Sequence, residues 1–80
     1  MAEVLTLYIR GDCHLCDEMH DALRPWQAKL GFALQPVDIA DDPGLIARFG
    51  DKVPVLMYRE REICHYRLDE AALVACFDLR

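Results

Sequence analysis

The sequence predicts an α/β domain in which a mixed four-stranded sheet is flanked by helices, in the order β-α-β-α-β-β-α. The spacing of apolar residues switches repeatedly between two and about 3.6, which indicates alternating strands and helices. A strand–helix–strand beginning implies a parallel, right-handed crossover, and a later hairpin adds antiparallel strands. The composition is 54% hydrophobic and 29% charged, which suits a globular domain. The chain of 80 residues is predicted to form a single domain over residues 1–80.

The first strand and first helix are predicted from a change of period. Residues 4–9 are nearly all apolar, as in a strand covered on both faces. From Cys13 to about Leu30 the apolar spacing is helical. Pro25 lies inside this segment and is expected to kink or interrupt the helix, and Gly31 is expected to end it.

The second strand is predicted at residues 32–39, at an edge of the sheet. Pro36 lies inside it, and a proline without an N–H is tolerated on an edge strand or at a bulge. Asp42 and Pro43 are an N-cap and a first helical residue, so a short helix follows. Gly50 is expected to end that helix.

The last three elements are a hairpin and a helix. Residues 53–58 are predicted as the third strand and residues 63–66 as the fourth. The charged turn between them lacks an Asn-Gly or Asp-Gly pair, so the hairpin is predicted from its length alone. Residues 69–79 have helical periodicity and form the predicted final helix.

Charge and hydropathy exclude several classes of partner. The net charge of −5 argues against nucleic acid, whose binding needs clustered lysine and arginine. No apolar run approaches the ~20 residues that span a membrane, and the first residues lack the basic segment of a secretory signal. We therefore expect a cytoplasmic protein, monomeric, without nucleic-acid or membrane partners.

The segment Cys13-His14-Leu15-Cys16 is placed at the predicted strand-to-helix junction. At a helix N-terminus, free N–H groups and the helix dipole favour a thiolate on Cys13. Cys16 follows one turn later, within reach of a disulfide. This arrangement predicts thiol–disulfide exchange, with Cys13 as nucleophile and Cys16 as resolving cysteine.

Four segments in this order resemble a known family: Thr6-Leu7-Tyr8, Cys13-His14-Leu15-Cys16, Asp38 and Val53-Pro54-Val55-Leu56. They are similar to those of glutaredoxins in the thioredoxin superfamily, especially the small bacterial glutaredoxin-like proteins with Cys-His-Leu-Cys. The resemblance implies a thioredoxin-like fold and dithiol oxidoreductase activity. It also implies that Pro54 is cis and faces the disulfide, and that the main chain of Val53 contacts substrate. Arg10 and His14 complete the predicted substrate-binding residues.

The chain departs from the glutaredoxin pattern at residues 64–69. Glutaredoxins carry a glycine pair there, where glutathione carboxylates bind, and bulkier side chains would hinder backbone approach. Asp12 places a negative charge beside Cys13, and this charge opposes formation of the thiolate. Arg10 and Lys52 are expected to offset the charge in part. The expected substrate is a disulfide-bearing protein or a glutathione mixed disulfide. Glutathione is a candidate reductant, and no metal or tightly bound cofactor is expected.

Two other functions are compatible with the same residues. Cys13, Cys16 and His20 fall roughly on one helix face, and Cys64 with His65 would complete a tetrahedral metal site. An exposed cysteine pair also holds an iron–sulfur cluster between subunits in some proteins. A third alternative is a redox-inactive domain that binds peptide at its cis-proline edge. Cys64 and Cys76 are interpreted as buried structural cysteines.

Overall fold

The computed structural model describes residues 3–11 and 13–78. In chain order, these residues form the predicted succession of strands and helices. The elements are β1 (Val4–Ile9), α1 (His14–Leu30), β2 (Ala33–Asp38), α2 (Pro43–Phe49), β3 (Val55–Tyr58), β4 (Arg61–His65) and α3 (Glu70–Asp78). Asp12 and the predicted last residue of the final helix, Leu79, lie outside the described residues.

The strands form one mixed sheet in the order β2-β1-β3-β4. The β1–β2 pair is parallel, and the pairs β1–β3 and β3–β4 are antiparallel, as predicted. β2 lies at the edge of the sheet, which confirms the position expected from Pro36. The N–H groups of Ala33 and Ile39 donate to the carbonyls of Glu3 and Ile9. Because the N–H groups of successive strand residues point in alternate directions, the nitrogen of Pro36 faces away from β1. The missing N–H of Pro36 therefore removes no hydrogen bond between β1 and β2.

Helix α1 is not interrupted at Pro25, so that part of the prediction is wrong. A proline removes one main-chain hydrogen bond. Leu23 and Trp26 on either side of it pack into the core and hold the helix together. Gly31 ends the helix as predicted, with φ 74°, and its N–H donates to the Gln27 carbonyl at 2.9 Å.

The hairpin is tighter than the sequence predicts. β3 begins at Val55 and not at residue 53, and β4 begins at Arg61 and not at residue 63. The turn is therefore the pair Arg59-Glu60, in which Arg59 has a φ of 56°. A positive φ is uncommon for arginine, so the residue type does not reveal this turn.

Apolar side chains fill both faces of the sheet. The larger cluster lies on the side of α1 and α3, and the smaller one lies on the side of α2. The buried members of the larger cluster are Leu5, Leu7, Met19, Leu23, Phe32, Leu56, Cys64 and Leu73. Those of the smaller cluster are Ile39, Phe49, Val55 and Met57. Within the described residues, no helix has both the length and the apolar character to cross a bilayer.

Candidate dithiol site

Cys13 caps the N-terminus of α1. Its backbone is extended, with φ −105° and ψ 105°, and its Sγ accepts a hydrogen bond from the Cys16 N–H at 3.1 Å. The Asp17 N–H donates to the Cys13 carbonyl at 3.3 Å. The sulfur thus takes the place of the oxygen of a usual N-cap side chain. A negative charge on Sγ would be stabilised there by the N–H and by the helix dipole.

Cys13 and Cys16 are joined by a disulfide, with their Cα atoms 5.2 Å apart. Cys13 is half-buried, whereas Cys16 is only 4% exposed. An incoming group therefore reaches Cys13 more readily than Cys16. This difference in access agrees with the predicted roles of nucleophile and resolving cysteine.

The Val53–Pro54 peptide bond is cis, as the resemblance implied. Tyr8 lies opposite Val55 in the β1–β3 pairing, and the chain enters the dithiol motif just after β1. The cis bond and the motif therefore lie at the same end of the sheet. Val53 is half-buried and forms no main-chain hydrogen bond with the part of the chain that the structure describes. Its N–H and carbonyl are thus available to pair with another chain.

Arg10 and His14, which are predicted to bind substrate, are both exposed. The guanidinium of Arg10 donates to the Gly50 carbonyl at 3.4 Å, beyond the end of α2. The side chain of His14 is 90% exposed, and its Nε2 lies 3.9 Å from a Glu18 carboxylate oxygen. A role for Arg10 or His14 in substrate binding stays a prediction.

The alternative metal ligands are not brought together. Within residues 3–11 and 13–78, no three His, Cys, Asp or Glu side chains are grouped so that they could hold a metal ion. The Nδ1 of His65 lies 2.7 Å from a Glu62 oxygen, and His20 lies 3.9 Å from Asp21. Cys64 belongs to the core, and burial raises the pKa of its thiol. Cys64 is therefore buried, as interpreted from the sequence, whereas Cys76 is only half-buried and that part of the interpretation is wrong.

Tyr66 was not singled out from the sequence. It follows β4 with a φ of 64°, and its side chain is exposed. Its N–H donates to the Pro54 carbonyl at 2.9 Å, and its hydroxyl donates to the Asp51 carbonyl. Tyr66 thus forms hydrogen bonds with both ends of the segment 51–54, which contains the cis bond. One sequence signal could have indicated the backbone conformation of Tyr66. Tyr66 lies in the segment where glutaredoxins carry glycines, and glycine adopts a positive φ freely.

Residues 4–77 match the family described as Glutaredoxin-like domain (DUF836). The chain belongs to this family. Among its relatives, Uncharacterized protein Rv0508 of Mycobacterium tuberculosis is 32% identical over 74 residues. That match covers 86% of this chain and 76% of the relative. Uncharacterized protein Mb0520 of Mycobacterium bovis matches to the same extent.

Solved structures support the same fold for this glutaredoxin-like chain. Protein Ne2328 of Nitrosomonas europaea is 37% identical, with a TM-score of 0.86, and the match covers 95% of this chain and 92% of that one. Protein XcR50 of X. campestris is 43% identical, with a TM-score of 0.73 and coverages of 95% and 97%. Thioredoxin 1 of Thermosipho africanus is 16% identical, with a TM-score of 0.61 and coverages of 95% and 93%, and it shows the fold alone. The predicted thioredoxin-like fold is confirmed.

Proposed function

We propose that this glutaredoxin-like protein is a thiol–disulfide oxidoreductase that acts in the cytoplasm, where thiols are kept reduced. The observation that carries the proposal is the position of Cys13. Its sulfur caps α1 and accepts the Cys16 N–H, and the same two residues form a disulfide. A stabilised thiolate beside a second thiol is the arrangement that disulfide exchange requires.

The exchange begins with the reduced protein. The Cys13 thiolate attacks one sulfur of the substrate disulfide, and the other substrate sulfur leaves as a thiolate that takes up a proton. Cys16 then loses its proton and attacks the Cys13 sulfur of the mixed disulfide, which releases the second substrate thiol. Two electrons and two protons pass to the substrate, and the protein is left with the Cys13–Cys16 disulfide. Two molecules of a thiol such as glutathione, or one dithiol, return the protein to the dithiol form and are themselves oxidised to a disulfide.

The proposed substrate is a disulfide-bearing protein. The main chain of Val53 is available for pairing, and an extended polypeptide can supply the matching N–H and carbonyl groups. The net charge of −5 disfavours anionic small molecules such as glutathione disulfide. A glutathione mixed disulfide on a protein remains within the proposed substrate class.

Serine variants test the two roles separately. Cys13→Ser should abolish disulfide reduction, because no nucleophile remains at the helix N-terminus. Cys16→Ser should accumulate a mixed disulfide at Cys13, visible by mass spectrometry under non-reducing conditions. Cys76→Ser is the matched control on α3 and should retain the unaltered rate. Full reductase activity in Cys13→Ser would refute the proposal.

A further inference from the structure

Tyr66 is joined by hydrogen bonds to both ends of the segment 51–54, which lies between α2 and β3. Its hydroxyl donates to the Asp51 carbonyl, and its N–H donates to the Pro54 carbonyl at 2.9 Å. Asp51 is exposed and Pro54 is buried, so the two bonds fix the outer and the inner end of the segment. The Tyr66 side chain is 45% exposed and belongs to neither of the two core clusters. Its hydroxyl bond therefore serves this segment and not the packing of the core.

Val53 lies between these two attachment points. Its side chain packs against the smaller core cluster, which orients the residue. Its main-chain N–H and carbonyl form no hydrogen bond with the described residues, whereas the preceding Lys52 N–H donates to the Phe49 carbonyl at 2.8 Å. A main-chain pair that the fold leaves unpaired takes its partners from water or from another polypeptide. The segment is thus held on both sides of the groups that the proposed function assigns to substrate pairing.

The backbone of Tyr66 is in a conformation that tyrosine rarely adopts. Its φ is 64°, and a residue with a Cβ disfavours this left-handed region. Such conformations are concentrated at binding sites, where the surrounding contacts impose them. In this conformation both the N–H and the hydroxyl of Tyr66 reach the segment 51–54. The His65 ring lies edge-on to the Tyr66 ring, with the ring centres 4.7 Å apart, and helps to keep the phenol in place.

We propose that Tyr66 is a positioning residue for the polypeptide substrate. Its two hydrogen bonds hold the segment 51–54 so that the Val53 N–H and carbonyl are already arranged for pairing with an extended chain. A segment that is ordered before binding loses less conformational entropy when the substrate binds, so the complex is tighter. A small disulfide has no main chain to pair with Val53, and its reduction does not depend on Tyr66. The inference rests on the proposed function and assigns to Tyr66 a preference for polypeptide disulfides over small ones.

The test compares Tyr66→Phe with Tyr58→Phe. Each variant removes one tyrosine hydroxyl and its hydrogen bond, but the Tyr58 hydroxyl bonds Glu3 at the far end of the sheet from the dithiol motif. Reduced protein is mixed with an excess of disulfide, and formation of the Cys13–Cys16 disulfide is followed by timed acid quenching and mass spectrometry. The disulfides are a synthetic peptide with one internal cysteine, oxidised to its symmetric dimer, and the small neutral 2-hydroxyethyl disulfide.

The two variants should differ with the peptide and agree with the small disulfide. In Tyr66→Phe, the second-order rate constant with the peptide should fall about fivefold, as expected for the loss of one hydrogen bond. The loss should be in the half-saturating peptide concentration, with the limiting rate unchanged, because binding and not sulfur exchange is weakened. The rate constant with 2-hydroxyethyl disulfide should stay within about twofold. Tyr58→Phe should leave both rate constants within about twofold.

N-methylated peptides test main-chain pairing with the unaltered protein. One N-methyl group is placed in turn on each of the two residues on either side of the cysteine, where it removes a main-chain N–H. At least one position should lower the peptide rate constant about fivefold. At that position the loss should shrink to less than about twofold in Tyr66→Phe and persist in Tyr58→Phe, because only Tyr66 is coupled to the pairing.

An unchanged peptide rate constant in Tyr66→Phe, or an equal fall with both disulfides, would overturn the positioning role. So would an N-methyl series in which no position matters, or in which Tyr66→Phe shows the same loss as the unaltered protein. If the unaltered protein reduces neither disulfide, the proposed function itself fails.

Discussion

At the scale of single residues, the thiols of Cys13 and Cys64 differ in what surrounds their sulfur. Cys13 is half-buried at the start of α1, and its Sγ accepts a main-chain N–H. Cys64 is 8% exposed within the core, and burial raises the pKa of its thiol. The thiolate is the reacting form, so Cys64 should be nearly inert at neutral pH and Cys13 should be reactive.

Alkylation of the reduced protein tests this difference. Iodoacetamide at pH 7.5 should modify Cys13 at least about tenfold faster than Cys64, because Cys64 is both shielded from solvent and mostly protonated. The rates are read from peptide masses after a timed quench. In urea-unfolded protein the two rates should converge, and equal rates in the folded protein would contradict the assignment.

The paired cysteines and the cis peptide bond were predictable because their signal is local. The Cys-x-x-Cys spacing at a strand-to-helix junction indicated Cys13 and Cys16, and the family resemblance indicated the cis bond before Pro54. Tyr66 was not predictable in the same way. Its positive φ and its bond to Asp51 depend on two segments that meet in the folded chain, and tyrosine itself favours neither.

At the scale of elements, predictions succeeded where one residue has a strong backbone requirement. Pro36 indicated the edge strand because it lacks an N–H, and Asp42 with Pro43 indicated the start of α2. The start of β4 was missed because Arg61 and Glu62 are exposed and charged, which is typical of a turn. Cross-strand pairing of Tyr58 with Arg61 decides the structure there, and a single sequence does not reveal pairing.

The cap of α2 gives a prediction at this scale. The Asp42 carboxylate accepts the Leu45 N–H at 3.1 Å, so Asp42→Ala leaves that N–H without its partner. The free energy of unfolding should fall by about 0.5–2 kcal/mol, measured from urea denaturation of the oxidised protein. Asp41→Ala removes the same charge one residue earlier without removing the cap. A similar loss in both variants would mean that charge, and not capping, is responsible.

At the scale of the whole molecule, a bond between distant parts of the chain lies at the end of the sheet opposite the dithiol. The Tyr58 hydroxyl donates to the Glu3 carboxylate at 2.7 Å, and Tyr58 pairs with Leu5 across β1 and β3. This hydrogen bond is the main cause of a raised pKa for the Tyr58 phenol, and partial burial adds to it. The nearby Arg59 guanidinium opposes the shift.

The raised pKa implies that stability depends on pH in the alkaline range. A phenol whose pKa is higher in the folded state than in the unfolded state stabilises the fold fully below its unfolded pKa. That contribution is lost as pH rises through the folded pKa, where the phenolate faces the Glu3 carboxylate. Tyr58→Phe should lower the urea midpoint at pH 7, and the gap to the unaltered protein should shrink as pH rises above about 10.

Tyr8→Phe is the matched control. The Tyr8 hydroxyl donates to no group in the described chain, and the Tyr8 ring stacks on the Phe49 ring with the ring centres 4.5 Å apart. Its urea midpoint should follow the unaltered protein at every pH. The Cys64 thiol, whose pKa is raised by burial, is present in all three proteins, so its contribution cancels in the comparison. A gap between Tyr58→Phe and the unaltered protein that stays constant up to pH 11 would show that the Tyr58–Glu3 bond does not couple proton binding to folding.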